Sequence, residues 1–335
     1  MRIAVFEIEK WEREHLEKAL AGHQLSFHAE PLTEDNAALA ADADIAVVFI
    51  YSRVNAAVLM AAPNLKMVTT RSMGFDHIDL DACAARGITV CRVPAYGEQT
   101  VAEHAFALLM SLSRHIFQAY ERTEKAVFDY HGLMGFDLMG KTLGVVGGGR
   151  IGMNVVRIAN AFGMKVVVHD PYPKPELAAQ YGFTYGTLDE VLAQADAVTL
   201  HVPYMPATHH IINDAAFAKM KTGVVLVNTA RGGLVDTGAL LKALESGKVS
   251  GAGLDVIEEE GCFKEEAELA TVAFQGKCDL QAIVRNHALI NRPDVIITPH
   301  IAWYSSEAVE RILTTTAENV VKFAGGAPVN VVLTK

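Results

Sequence analysis

Cysteine is scarce in this chain. Four residues among 335 (Cys83, Cys91, Cys262, Cys278) form no CxxC pair, which excludes a disulfide framework and offers no zinc-ligand spacing, so free buried thiols and no metal are expected. A basic excess is also missing: 29 Lys and Arg stand against 39 Asp and Glu, for a formal net charge of −10. Without a Lys/Arg run to neutralise phosphates, nucleic acid is not an expected partner. Long apolar runs are absent too; Ile45 to Tyr51 and Gly223 to Val227 fall far short of the ~20 residues that cross a bilayer. The opening residues Met1 to Glu7 read as a strand and lack the features of a signal peptide, so the expectation is a cytoplasmic protein with no membrane span. Only 20% of residues are charged and 51% are hydrophobic, which excludes a disordered chain. The length suits about two domains.

What is present is an alternation of short β-branched runs with amphipathic stretches, the pattern of a parallel sheet covered by helices. Ile3 to Phe6, Ile45 to Ile50, Lys66 to Thr70 and Thr89 to Arg92 read as buried strands of a first unit. Lys141 to Val146, Lys165 to His169, Ala197 to Leu200, Val224 to Asn228, Gly251 to Val256 and Val295 to Thr298 read as six strands of a second. Between the units, Thr100-Val101-Ala102-Glu103 has the form of a capping box opening a long helix. Val101, Ala105, Leu108, Leu109, Leu112 and Ile116 keep helical spacing through it. This apolar helix is expected to bridge the units and to form the surface of a homodimer. The stretch from about Ser305 to Phe323 is a second amphipathic helix that returns to the first unit. The second unit is then inserted within the first: 1–99 with 302–335, and 100–301. Gly261 to Asn291 is the least regular stretch, expected to be a lobe of short helices.

Two constellations carry chemistry. Gly147-Gly148-Gly149-Arg150-Ile151-Gly152 follows a strand and opens a helix, so glycines permit a tight turn, close approach to a pyrophosphate and close helix–strand packing. Asp170 ends the next strand 21 residues beyond Gly149; a carboxylate there accepts from ribose hydroxyls and repels the extra phosphate of NADP, which favours NAD. Further on, three successive strand ends offer Arg231 within Asn228 to Asp236, Glu260 within Asp255 to Glu260, and His300 within Thr298 to Tyr304. These lie where ligands of open α/β sheets bind.

With these motifs in order, the sequence resembles the D-isomer-specific 2-hydroxyacid dehydrogenases, and most the D-lactate dehydrogenase branch, over nearly its whole length. The segment Leu200 to Pro203 with Thr208, the run Arg71 to Asp79, and Val93 to Tyr96 followed by Ala102-Glu103-His104 also follow the family's pattern. The resemblance implies two Rossmann-like doubly wound α/β domains, a substrate domain (1–99 and 302–335) interrupted by an NAD-binding domain (100–301). It implies His300 as the catalytic acid/base, Glu260 as its partner and Arg231 as the substrate-orienting residue. It places the substrate's carboxylate on the backbone amides of Met73 and Gly74, with Tyr96, Arg231, His300 and Trp303 also at the substrate. Trp303 stands where that branch more often has another aromatic. NAD contacts are implied for Gly147, Gly149, Arg150, Ile151, Gly152, Asp170, His201, Val202, Pro203, Thr208, Thr229, Ala230, Arg231, Asp255 and His300, with Asp255 at the nicotinamide amide or behind the histidine. The implied reaction is reversible hydride transfer between NADH and a small 2-oxo acid, pyruvate to D-lactate first. Glyoxylate, hydroxypyruvate or bulkier 2-oxo acids are the nearest alternatives. A formate-dehydrogenase-like relative would carry glutamine where Glu260 stands, and an NAD-sensing binding protein would share the fold without the activity.

Overall fold

The structure, a computed structural model, describes residues 1–260 and 280–332. The chain divides into two compact units: Met1–Gly97 with Tyr304–Lys335, and Glu98–Trp303. The second is inserted in the sequence of the first.

Among the described residues unit 1 holds five parallel strands, β1 (Arg2–Val5), β2 (Gln24–Phe27), β3 (Ile45–Val48), β4 (Met67–Thr70) and β5 (Thr89–Cys91), in the order β2-β1-β3-β4-β5. β3 and β4 are buried at every position, which is why they read as continuous apolar runs. β2 is the strand the sequence reading lacked. Its burial alternates from exposed to partial, so it carries no apolar run; only pairing with β1, Arg2 opposite Gln24 through Val5 opposite Phe27, defines it. The chain comes home at its end: Val332 N donates to Val90 O at 2.8 Å, and Cys91 and Val331 form an antiparallel bridge. The Ser306–Ala324 helix packs on this unit through Val309, Ile312, Leu313 and Val320, with the Ser305 hydroxyl capping its first turn. Cys83 and Cys91 are free and buried, and burial pushes both thiols up to about 11. Cys262 and Cys278 lie outside the described residues.

Among the described residues unit 2 has seven parallel strands rather than six. They are β6 (Thr142–Val146), β7 (Lys165–His169), β8 (Thr184–Tyr185), β9 (Ala197–Leu200), β10 (Val224–Asn228), β11 (Val249–Leu254) and β12 (Val295–Ile297), in the order β12-β11-β10-β9-β6-β7-β8. β8 escaped the sequence reading because it is two residues long, and its partial exposure at the sheet edge demands no apolar run. The strand order reverses at β6, which pairs with β7 on one side and β9 on the other. Crevices for ligands open at such switch points. Of the irregular stretch from 261 to 291, Leu280–Ile290 is a single α-helix, and residues 261–279 lie outside the described part.

The connecting helix corrects two expectations. It runs from Glu98 to Ser113, so Thr100 lies inside its first turn and does not open it; Glu103 accepts from Gln99 Nε2 at 2.6 Å. The apolar stripe does not face outward either. Leu108, Leu109 and Leu112 are buried in the core of unit 2, where each contributes about 1.5–3 kcal/mol. Gly251 and Gly253 on β11 let the helix descend. A Cβ on Gly253 would stand 2.9 Å from Leu108 Cβ, and one on Gly251 would stand 3.1 Å from Leu112 Cδ2. The helix ends at Ser113, a φ of 50° at His115 breaks the helical path, and Ile116 begins a second helix, Ile116–Glu124. Among the described residues no helix is long and apolar enough to cross a membrane.

Candidate active site

The glycine turn sits at the switch point after β6. Gly147 has φ +108°, and a side chain there would strike the His201 carbonyl at 2.6 Å; a Cβ on Gly152 would stand 2.0 Å from Gly147 O. These two glycines are therefore required by close backbone contact. Gly149 is different, because nothing lies within 4 Å of where its Cβ would be. It heads the Arg150–Ala161 helix, which has no side-chain cap and no acidic residue in its first turn, so free amides and the positive helix end meet open space. Asp170 borders this space, accepting from Gly148 N at 2.7 Å and Tyr172 N at 2.8 Å. The arrangement fits a dinucleotide: an uncapped helix end for the pyrophosphate and a carboxylate for the ribose hydroxyls.

The loop after β9 closes the other side of the turn. His201 Nε2 pairs with Thr199 Oγ1 at 2.9 Å, while its Nδ1 is buried without a partner among the described residues, and burial lowers the imidazole to about 3. It is a neutral ring. Thr208 organises Val202 to His209, donating to Pro203 O at 2.7 Å and accepting from Met205 N at 2.8 Å. Arg150 extends into solvent, 3.4 Å from Glu98.

The loops after β11 and β12 bring Glu260 and His300 together, and the loop after β10, the next strand in the sheet, carries Arg231. Asn228 braces the β10 loop, its Oδ1 accepting from Ala230 N at 3.0 Å and its Nδ2 donating to Arg231 O at 2.9 Å. The Thr229 hydroxyl beside it is buried with no partner among the described residues, an arrangement that native proteins keep for a ligand or water. A Cβ on Gly232 would collide with Ile257 O at 2.0 Å, so this glycine seats the Arg231 turn directly on the segment leading to Glu260. His300 Nδ1 and Glu260 Oε1 are 2.8 Å apart, both partly exposed. His300 adopts φ +54° and Glu259 φ +52°, strained positions of the sort that cluster at functional sites.

Asp255 holds that strained loop in place. Its side chain is fully enclosed, and its oxygens accept from Thr298 Oγ1 at 2.5 Å, Ile301 N at 2.9 Å and Ala302 N at 2.8 Å. His104 Nε2 reaches Thr298 Oγ1 at 3.0 Å. Trp303 Nε1 donates to His300 O at 2.8 Å, so the indole braces the same loop. A second pair, His210 Nε2 to Glu258 Oε1 at 2.6 Å, ties the Thr208 loop to the strand end that carries Glu260. Sequence reading missed this pair and the His104–Thr298 contact. Partners 48 and 194 residues apart leave no local pattern.

In unit 1 the loop after β4 carries Met73 and Gly74. Among the described residues neither amide donates to a protein acceptor. Ser72 Oγ donates to Gly74 O at 2.6 Å and pairs with Thr70 Oγ1 at 2.7 Å, and Arg92 Nη1 donates to Met73 O at 3.3 Å. Tyr96 lies in the loop after β5, its carbonyl accepting from Arg311 Nε at 2.6 Å.

Known proteins carry the same plan. The family model for "D-isomer specific 2-hydroxyacid dehydrogenase, NAD binding domain" matches residues 106–302. A "2-hydroxyacid dehydrogenase homolog 1" of Schizosaccharomyces pombe is 40% identical, with 97% of this chain and 96% of that protein covered. The pyruvate reductase of Chlamydomonas reinhardtii superposes with a TM-score of 0.89 at 38% identity, covering 98% of this chain and 97% of that one. The D-lactate dehydrogenase of Aquifex aeolicus, solved with NAD and lactic acid, gives a TM-score of 0.84 at 37% identity over 97% and 96%. With its uncapped glycine turn, its Asp170 carboxylate and these relatives across the full length, this chain belongs to the D-isomer-specific 2-hydroxyacid dehydrogenases, oxidoreductases that use NAD.

Proposed function

We propose that the protein interconverts pyruvate and D-lactate. The observation that carries this reading is the 2.8 Å pair of His300 and Glu260 on the loops after β12 and β11, the two strands next in the sheet to β10, whose loop carries Arg231. Bound NADH supplies the hydride. As negative charge grows on the substrate's carbonyl oxygen, His300 Nε2 delivers a proton to it, and in reverse the neutral ring takes the hydroxyl proton. Glu260 accepts from Nδ1, which fixes the ring's orientation and leaves Nε2 for the substrate. Arg231 offers a planar fork that grips and polarises a carbonyl and carboxylate in a set geometry. Asp255 acts from behind, holding the Ile301 and Ala302 amides so that the His300 loop keeps its strained shape. The free amides of Met73 and Gly74 take the substrate's carboxylate. The pyruvate reductase and the lactic acid complex among the relatives support a three-carbon substrate. NADH oxidation with pyruvate, glyoxylate and hydroxypyruvate in parallel, with chiral analysis of the product, tests the reading. Pyruvate should give the highest kcat/KM and a D-product; a tenfold preference for another acid would replace it.

The assembly follows from another surface. Since Leu108, Leu109 and Leu112 are buried within the chain, a second copy binds instead at residues 116–139. Phe128 is 98%, Met134 92% and Tyr130 79% exposed, and Ile116, Phe117 and Tyr120 on the preceding helix are exposed as well. Side chains of this size expose on the order of 1,000 Å² together, more than the ~800 Å² per partner of a stable interface. Light scattering should show a homodimer, converted by Phe128→Asp with Met134→Asp to a species near 36.2 kDa; an unmodified protein of that mass would refute it.

A further inference from the structure

We infer that Arg92 is a positioning residue for the substrate's carboxylate, polarising the Met73–Gly74 peptide whose N–H binds it; this rests on the carboxylate reading of Met73 and Gly74. Arg92 directly follows β5, and its backbone is pinned at both ends. Its N–H donates to Asn330 O at 3.1 Å, and its carbonyl accepts from Asn319 Nδ2 at 3.0 Å. Asn319 is itself fully buried, and its Oδ1 accepts from Asn330 Nδ2 at 2.8 Å. From this rigid base the guanidinium reaches the neighbouring loop, lying 5.4 Å over the Phe75 ring while Nη1 donates to Met73 O at 3.3 Å.

Met73 O and the Gly74 N–H belong to one peptide, and no peptide in the described chain is cis. In a trans peptide the two groups point in opposite directions. A charged donor on the oxygen therefore leaves the N–H facing away and makes it a stronger donor, because hydrogen bonds in a chain polarise one another. Ser72 Oγ fixes the next carbonyl, Gly74 O, at 2.6 Å, so the planes on both sides of Gly74 are held. The charge is also uncompensated. Among the described residues no carboxylate lies within 4 Å of the Arg92 guanidinium, whereas Arg71 nearby in sequence is neutralised by Glu12 at 2.9 Å. A cation without a counter-ion beside two free amides makes a site for a carboxylate. If Arg92 only stapled Phe75, its loss would lower stability without acting selectively on the acid.

The test uses the full-length enzyme with pyruvate as substrate and oxamate, which carries the same carboxylate, as a probe bound to the enzyme–NADH complex. Arg92→Met should raise the pyruvate KM and the oxamate Kd about tenfold or more, with kcat within about threefold of the original and NADH affinity unchanged. Arg92→Lys, which keeps the charge, should recover part of the loss. Gly74→Pro removes the N–H itself and is measured alongside. If Gly74→Pro weakens oxamate and Arg92→Met does not, the Arg92 inference falls alone; if Gly74→Pro also leaves oxamate binding intact, the carboxylate reading falls with it. A drop in melting temperature with kcat, KM and NADH affinity all impaired together would make Arg92 structural and overturn the inference.

Discussion

The carboxyl edges of the two sheets are built in opposite ways. In unit 1 the charged groups are spent on structure. Arg71 and Glu12 form a buried pair at 2.9 Å, with Arg71 also donating to Phe6 O and Glu7 O. The Glu7 carboxylate gathers the amides of Phe49, Tyr51 and Ser52. Removing one member of such a buried pair costs about 3–5 kcal/mol. What this edge offers a ligand is backbone amide and the guanidinium of Arg92. In unit 2 the backbone is braced by enclosed groups, Asp255 and Asn228, while the titratable pair of Glu260 and His300 stays partly exposed. One edge can bind without changing protonation, and the other can move a proton.

That contrast is open to attack, most strongly at unit 2. His300→Ala should cut kcat/KM about 10³-fold in both directions with NADH binding preserved, within the range general acid–base groups contribute; stopped-flow turnover and NADH fluorescence titration read the two quantities. A residual rate within tenfold would mean that another group moves the proton. Arg231→Lys keeps the charge and loses the fork, so a fall of roughly 10²-fold in kcat/KM is expected, and near-normal kinetics would assign the arginine to structure. Asp170→Ala acts on cofactor choice: a preference for NADH over NADPH on the order of 10² should shrink below about tenfold, while equal use of both by the unaltered enzyme would remove the premise.

Two smaller effects sharpen the comparison. His201 in unit 2 is lowered from 6.5 to about 3 by burial, so the unfolded chain binds this proton more readily than the folded one. Its contribution to stability is complete above about pH 6.5 and declines as pH falls toward 3. Melting temperatures between pH 7 and 5 should therefore drop less for His201→Gln than for the unaltered protein; parallel slopes would contradict this. In unit 1, Cys83 and Cys91 at about 11 should resist iodoacetamide at pH 8 in the folded protein, and rapid labelling of either would show a reactive thiol there.

The core strands of both sheets were legible because a strand buried on two faces must be apolar throughout. Edge strands β2 and β8 escape that rule. Thr100 and Glu103 show the weakness of a short signature, since the same spacing fits inside a helix as well as ahead of one. Leu108, Leu109 and Leu112 show another: periodicity establishes that a face is covered, and says nothing of what covers it. Gly251 and Gly253, more than 130 residues away in sequence, supply the answer. The cofactor turn was readable because turn, helix start and acidic residue are local to one βαβ unit.

By itself the sequence determined the parallel α/β plan, the NAD turn and the residue types at the strand ends, all properties set by local backbone geometry and burial. The pairing of Glu260 with His300 and a place for Asp255 behind the histidine came from family resemblance; tertiary structure decided the contacts themselves, among them the Asp255 bonds to Thr298, Ile301 and Ala302 and the reach of Arg92 to Met73. These are contacts between loops that only sheet order brings together, and strand order is fixed by how the whole chain packs.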